Sequence, residues 1–177
     1  MPFLPENYEK PETNSKYYKF KSGDNIFRIL SEAIVGYVDW KDKKPIRTEE
    51  KPERSIDPKR PYKHFWAFVI WDYRDEAIKI LEITQSTIQD AIFNFHSNKN
   101  WGDPKGYDLN IHRVGEEMDT KYTVIPTPPK TLPIEIEKLY LETPIDLMEL
   151  YKGDDPFNPK SDNKEKEMES DIENAPF

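Results

Sequence analysis

The stretch that decides the fold runs from Lys63 to Ile83 and reads KHFWAFVIWDYRDEAIKILEI. Its first half, Lys63 to Tyr73, is apolar on both faces of an extended chain, because successive side chains of a strand point to opposite sides. Polar residues from Arg74 to Glu76 interrupt the run, and Ala77 to Ile83 resumes it with β-branched residues. This pattern predicts a hairpin of two long strands. One aromatic face can fill a core, while the other either lies under another element or offers rings to a ligand.

Composition indicates one domain with irregular flanks. The chain has 177 residues, of which 36% are hydrophobic and 16 are prolines, as in a single domain with arms or a tail. It has no cysteine, which excludes disulfides and thiolate metal sites and fits a reducing compartment. No apolar run approaches the ~20 residues of a membrane span, and the first residues do not form a signal peptide. We therefore expect a soluble, cytoplasmic protein without a membrane partner.

The net charge of -8 is unevenly distributed along the chain. Residues 1–132 carry 21 Lys+Arg against 21 Asp+Glu, whereas residues 133–177 carry 5 against 13. Within residues 41–63 there are nine basic and five acidic side chains. A neutral body thus contains a basic segment and ends in an acidic one, and the average conceals both. Nucleic acid remains open as a partner despite the acidic average.

The pattern around the central hairpin predicts an antiparallel, mainly β fold. Strands are expected at residues 25–31 and 33–40, with a short return at 45–47, and Gly36 indicates a bulge or bend. A charged loop, expected to be mobile, follows at residues 49–61. A last hairpin is expected from strands at 107–114 and 120–125.

One helix is predicted between the central and the last hairpin, at residues 84–98. Thr84 or Ser86 can cap its start. Its apolar face follows the i, i+3, i+4, i+7 spacing and comprises Ile88, Ala91, Ile92 and Phe95. Strands with one connecting helix have the element order of a small antiparallel Greek-key barrel of the oligonucleotide-binding (OB) type, and we assign residues 16–132 to such a domain.

The two ends of the chain are expected to lie outside this domain. Residues 1–15 have several prolines and no periodicity, which predicts a flexible N-terminal arm that could contact neighbours along a strand. Residues 133–151 predict a helical extension of one or two short helices, the second capped by Thr143 with Pro144 in its first position. Residues 152–177 have few apolar side chains, which predicts a disordered acidic tail.

Five segments of the domain resemble the single-stranded DNA-binding proteins encoded by tailed bacteriophages. They are YYKFKSGDNIFRIL (17–30), KHFWAFVIWDY (63–73), ILEITQSTIQDAI (80–92), NWGDPKGYDLNIHRVG (100–115) and TKYTVIPTPPKTL (120–132). The resemblance implies an OB-fold that coats single-stranded DNA in replication, recombination and repair. It also implies the cytoplasm of a bacterial host. Some phage relatives have a zinc site, which this cysteine-free chain lacks.

The last seven residues, DIENAPF, resemble the acidic tip of cellular bacterial single-strand binding proteins, which also closes in Pro-Phe. That resemblance implies recruitment of replication or recombination proteins through the tip. The residues that would carry this role are Asp171, Ile172, Glu173, Pro176 and Phe177. The alternative is a merely solubilising tail, which does not explain a terminal aromatic ring after a proline.

Binding a single strand irrespective of sequence requires cations for the phosphates and flat rings for the bases. The candidate rings are Tyr37, Trp40, Trp66, Phe68 and Trp101. The candidate phosphate ligands are Arg28, Lys43, Lys44, Arg47, Lys63 and His64. Trp40, beside the lysine-rich turn, is the first choice. Core packing is the alternative for each ring and simple solvation for the basic loop, while Trp71 and Tyr73 are assigned to the core.

Catalysis is poorly supported by the sequence. His64, His96 and His112 show no metal-ligand spacing, and neither a glycine-rich phosphate loop nor a nucleophile motif is present. We expect no enzyme, no cofactor and no metal, with single-stranded DNA as the main partner and self-association along DNA left open. Two alternatives remain: an acidic protein that mimics DNA and inhibits a host enzyme, and a small nuclease on the same barrel.

Overall fold

The main feature of the computed structural model, which describes residues 3–6, 8 and 16–159, is one seven-stranded antiparallel sheet. The strands are β1 (Ile26–Ile29), β2 (Ile34–Lys41), β3 (Lys44–Thr48), β4 (Lys63–Asp72), β5 (Ala77–Ile83), β6 (Asp108–Val114) and β7 (Lys121–Pro126). The helices are α1 (Ser86–Ser97), α2 (Ile134–Glu142) and α3 (Glu149–Lys152). In this described part of the chain, every helix is too short or too polar to cross a membrane.

The predicted order of strands and the helix after the central hairpin are confirmed. β4 and β5 form the hairpin, with Trp66 opposite Ile83 at one end and Asp72 opposite Ala77 at the other. α1 buries Ile88 and Ile92, as its spacing predicts. Its predicted cap is wrong, because Gln85 occupies the N-cap position and makes no capping hydrogen bond with its side chain.

β1 and β2 behave as one long strand with an interruption at residues 30–33. Ile29 pairs with Ile70 and Ile34 pairs with Ala67. Between these two pairs the long strand advances by five residues while β4 advances by three, so the long strand contains two extra residues. A bulge of this kind bends a strand. It lies here and not at Gly36, where the pairing with β4 runs without a break.

The sheet is open over residues 16–159. Its strands follow the order β3-β2-β4-β1-β6-β7, with β5 on the second edge of β4, and no pairing brings β3 or β5 to β7. The outer edge of β5 is joined by the chain before β1, where the amide of Tyr18 donates to the carbonyl of Ile80 at 2.9 Å. An antiparallel, mainly β fold is therefore confirmed, whereas closure into a Greek-key barrel is not.

Both faces of β4 are covered over part of their length. On the helix face, α1 packs over the first core, which includes Phe27, Phe68, Ile70, Leu81, Ile88, Leu109 and Ile111. On the opposite face, the C-terminal segment (residues 143–159) packs over the second core, built from Val38, Phe65, Ala67, Ile80 and Leu150. The second aromatic face of the central hairpin thus lies mostly under the chain itself.

The C-terminal segment differs from the predicted extension. Thr143 ends α2 instead of starting the next helix, and its hydroxyl donates to the carbonyl of Leu139 at 2.6 Å. Residues 152–159, assigned to the disordered tail, pack on the domain: Pro156 is buried and accepts a hydrogen bond from the amide of Asp146 at 2.9 Å. The rest of the predicted tail, including the tip from Asp171 to Phe177, and most of the predicted arm lie outside the described residues.

Candidate nucleic-acid interface

Four aromatic side chains lie together beside α1, on the helix face of the sheet. Directly opposed residues of antiparallel strands share a face, and β2 and β4 pair Tyr37 with His64 and Val35 with Trp66. The ring centre of Tyr37 lies 5.2 Å from that of His64 and 5.9 Å from that of Tyr62, which precedes β4. We call Tyr37, Tyr62, His64 and Trp66 the ring strip. None of the four rings is fully buried.

Backbone contacts position the ring strip. The carbonyl of Gly36 can only accept, so Nδ1 of His64 donates to it, at 2.8 Å, and Nε2 remains for another partner. Glycine is needed at position 36, since a Cβ there would lie 2.3 Å from the carbonyl oxygen of Thr48. The side-chain amide of Gln89 donates to the carbonyls of His64 and Ile83, at 3.1 and 2.9 Å, and so attaches α1 to the two strands.

A groove of about 480 Å³ adjoins the ring strip through Trp66. It lies between α1, the interruption that separates β1 from β2, and the loop after α1. Its walls include Val35, Trp66, Phe93 and Pro104, and its polar side chains include Glu32, His96 and Lys105. Phe93 is 58% exposed and Val35 51%. Large apolar side chains exposed in a concave site are typical of ligand-binding surfaces.

Two of the predicted site residues, Arg28 and Phe68, are buried, and a third, Trp101, is half-buried. Arg28 is 2% exposed, and its guanidinium donates to the carbonyls of Lys105 and Lys130 at 2.8 and 2.6 Å. Phe68 belongs to the first core. Trp101 is half-buried at the edge of that core, with its ring centre 5.8 Å from that of Phe95. The burial of Arg28 contradicts the phosphate role predicted for it. Phe68 can contact a ligand only from inside the groove, which it lines, and Trp101 packs against the core, as the alternative to stacking had it.

Trp40 and Arg47 lie on the opposite face of the sheet from the ring strip. Trp40 is three residues from Tyr37 along β2, and Arg47 pairs with Val38, the residue next to Tyr37. Trp40 packs against the second core, and the guanidinium of Arg60 lies 3.9 Å from its ring centre. Arg47 donates twice to one carboxylate oxygen of Glu82, at 2.9 and 2.5 Å. The first-choice ring is thus covered on one side by an arginine of its own chain.

The lysines predicted to bind phosphates are exposed. Lys43 and Lys44 lie at the turn between β2 and β3, and Lys63 lies next to His64 at the start of β4. Asp42 and Lys43 have φ values of 52° and 66°, in the left-handed region. Two central residues with positive φ are typical of the type I′ turn that suits a two-residue hairpin.

Trp71 and Tyr73, which the sequence assigns to the core, are half-buried instead. The hydroxyl of Tyr73 donates to the carboxylate of Asp108 at 2.8 Å. Burial, followed by this hydrogen bond, raises the pKa of Tyr73 to about 12. Tyr73 therefore stays neutral and serves as a donor at the edge of the sheet.

Five residues of the site were not predicted from the sequence: Glu32, Tyr62, Phe93, His96 and Lys105. The sequence does contain a pattern that indicates Phe93. It is a large apolar residue that lies outside the face of α1 that carries Ile88, Ile92 and Phe95, so its ring is expected to be exposed. The other four are ordinary loop or surface residues, and only the folded chain brings Tyr62 beside Tyr37 and the remaining three to the groove lined by Trp66.

The described residues contain no group of three or more His, Asp or Glu side chains placed to hold a metal ion. Comparisons of the chain with protein-family models, curated proteins and solved structures found no match. A functional assignment therefore depends on the site itself and on the sequence.

Proposed function

We propose that this protein is a non-enzymatic, phage-type single-stranded DNA-binding protein that coats DNA during replication, recombination and repair. The observation that carries the proposal is the ring strip, with three of its rings on adjacent strands, one preceding β4, and an apolar groove next to Trp66. Every base has a flat π-face, so a row of rings binds bases of any sequence.

Stacking supplies most of the binding free energy in this mechanism. Base–aromatic stacking is worth ~1–3 kcal/mol per base, so a few rings outweigh any single exposed phosphate contact. Lys43, Lys44 and Lys63 are exposed on the lobe formed by β2, β3 and β4, and their positive charge supports attraction of the phosphate backbone to this lobe. Duplex DNA keeps its bases stacked on one another, so the ring strip favours single strands.

We also propose that the sheet belongs to the OB class. The long strand formed by β1 and β2 pairs with β4 along one edge, while its other edge pairs with β6 at the start and β3 at the end. Strands that switch partners at a bulge form the corners of small barrels. The bulge at residues 30–33 lies at this switch.

The acidic tip from Asp171 to Phe177 is proposed to recruit replication or recombination proteins in the cytoplasm of a bacterial host. Its support is the sequence resemblance alone. A terminal ring with its free carboxylate suits a pocket edged by Lys or Arg on a partner.

The first test is a fluorescence-anisotropy titration with labelled oligo-dT and with a matching duplex at two salt concentrations. We expect salt-sensitive binding to the single strand and much weaker binding to the duplex. Absence of binding to both would reject the proposal and favour the DNA-mimic alternative, whose test is a search for a host protein partner.

Ring variants then locate the interface. Replacing Tyr37 by Leu keeps an apolar side chain but removes the ring, and we expect affinity for oligo-dT to fall about 5- to 100-fold. Tyr140→Leu is the matched control, since Tyr140 is also a half-buried tyrosine but belongs to α2. Equal affinities of the two variants would exclude the ring strip as the binding surface.

A further inference from the structure

We infer that the groove beside the ring strip accepts one base of the bound strand and prefers bases with an exocyclic amino group, namely cytosine, adenine and guanine, over thymine. This inference rests on the proposed function and adds a base preference to the same site. Its basis is the position of Glu32, whose carboxylate has no partner among the described residues and lines a mainly apolar groove.

The groove suits a flat, mainly apolar group. Its volume of about 480 Å³ falls within the range of ~300–1,000 Å³ typical of small-ligand sites. Trp66 reaches it from β4 and Phe93 from α1, so aromatic side chains contribute from both elements. Trp66 also belongs to the ring strip, so a strand that stacks along the strip passes the groove.

Glu32 is held at the groove by the bulge between β1 and β2. The hydroxyl of Ser31 accepts from the amide of Val69 at 2.8 Å and donates to the carbonyl of Glu32 at 2.9 Å. The side chain of Glu32 is exposed and has no hydrogen bond or ion pair with any residue in the described part of the chain. The backbone is thus fixed while the carboxylate remains open to a ligand.

Asp103 is a weaker candidate at the same groove. One of its carboxylate oxygens accepts from the amide of Lys105 at 2.9 Å, and the other lies 3.6 Å from the Lys105 ammonium group. Glu32 is therefore the carboxylate of the groove with both oxygens open, while Lys105 and His96 also line the groove.

A carboxylate discriminates between bases because it only accepts hydrogen bonds. Cytosine presents its N4 amino group as a donor, and Asp or Glu accepts from it, whereas thymine presents the O4 carbonyl, an acceptor, at the equivalent position. Two acceptors facing each other repel. The carboxylate also repels the phosphates of any strand, so Glu32 lowers general affinity while it favours amino-bearing bases.

Titrations with oligo-dC and oligo-dT of equal length, at mildly alkaline pH where cytosine carries no proton, test the inference. We expect the wild-type protein to bind oligo-dC about fivefold more tightly, which corresponds to one hydrogen bond. Glu32→Ala should reduce this ratio to about 1 while oligo-dT affinity stays equal or rises. Preserved oligo-dT binding also shows that the variant is folded.

Two further variants separate base recognition from charge. Glu137→Ala removes an equal charge from the exposed side of α2 and should leave the oligo-dC to oligo-dT ratio unchanged. Glu32→Gln keeps one acceptor and should retain part of the preference. Equal wild-type affinities for the two oligonucleotides, or an unchanged ratio in Glu32→Ala, would overturn the inference but not the proposed function. Absence of binding to either strand would overturn both.

Discussion

The guanidinium of Arg28 lies 3.3 Å from the carboxylate of Asp108, and both side chains are buried. This pair joins β1 to β6, where the two residues are direct partners in the ladder. Asp108 also accepts a hydrogen bond from the hydroxyl of Tyr73 at 2.8 Å and forms an ion pair with the ammonium group of Lys130 at 2.9 Å. Arg28 therefore holds strands together and is not available to DNA.

Replacing Arg28 by Met should lower the free energy of unfolding by about 3 kcal/mol, because it removes a cation from a buried carboxylate. Urea denaturation measures this loss. Lys105→Met is the control, with an expected change of about 0–1 kcal/mol for an exposed ion pair. A folded Arg28→Met protein should bind oligo-dT normally, and a selective loss of binding would restore Arg28 as a phosphate ligand.

Gly36→Ala should destabilise the protein by about 1–3 kcal/mol through overpacking. The added Cβ would meet the Thr48 carbonyl oxygen at 2.3 Å and the Phe65 ring at 3.1 Å, so strand β3 must move. Gly106→Ala is the matched control, since open space surrounds a Cβ at that position and its φ is not positive. Equal denaturation midpoints for the two variants would contradict the close approach of β3.

Lys43→Gly and Asp42→Gly should each stabilise the protein by about 1 kcal/mol, because glycine adopts the left-handed conformation of the turn without the steric cost that other residues meet. Their effects on the affinity for DNA should differ, because one substitution removes a cation and the other an anion. Loss of Lys43 removes a cation and should weaken oligo-dT binding and reduce the salt slope by about 1. Loss of Asp42 removes an anion and should not weaken it.

Thermal denaturation and anisotropy at several salt concentrations measure both effects. The two substitutions change adjacent positions of one turn and relieve the same conformation, so the difference between them reports charge. If both variants bound oligo-dT equally, Lys43 would have no contact with the backbone.

Asp75 gives a pH-dependent prediction. The hydrogen bond from Lys79 holds the pKa of Asp75 below its ordinary value of 3.8. A depressed folded-state pKa adds stability above the unfolded-state pKa, and this contribution is lost as pH falls through the folded-state pKa. Asp75→Asn should therefore lower the free energy of unfolding by at most about 1 kcal/mol at neutral pH, since the carboxylate is partly exposed. In strong acid the substitution should leave the free energy of unfolding unchanged.

Urea denaturation at neutral pH and below the folded-state pKa measures the two differences. Glu76→Gln, which changes the neighbouring charge in the same turn, is the control and should show little change at either pH. A stability difference between wild type and Asp75→Asn that grew on acidification would show that the pKa of Asp75 is raised rather than lowered.

Local patterns predicted the elements well, because the spacing of apolar side chains depends on the geometry of one strand or helix at a time. The β4–β5 hairpin and the buried face of α1, with Ile88 and Ile92, follow directly from that spacing. Helix boundaries were less predictable. Thr143 is a good N-cap by type, yet it ends α2, since its hydroxyl finds an acceptor within that helix, in the carbonyl of Leu139.

Individual site residues were harder to predict than elements, because their role depends on contacts between distant parts of the chain. From the sequence, Arg28 is predicted to be an exposed cation. In the structure its guanidinium donates to the carbonyls of Lys105 and Lys130 instead. From the sequence, Trp40 is predicted to be an exposed ring. In the structure Arg60, twenty residues later in the chain, covers one side of it. Tyr37, His64 and Trp66 were each named from the sequence as candidate contacts, but their grouping on one face follows from the register of β2 against β4, which pairs Tyr37 with His64.

By itself, the sequence determined that the chain forms an antiparallel, mainly β fold around residues 63–83, because hydrophobic periodicity and turn residues act locally. Only the tertiary structure decided which rings remain accessible. The C-terminal segment packs on one face of β4 and α1 on part of the other. This packing leaves Tyr37, His64 and Trp66 accessible, with a groove next to Trp66. Which surface is left uncovered depends on how all elements pack together, and no single stretch of residues contains that information.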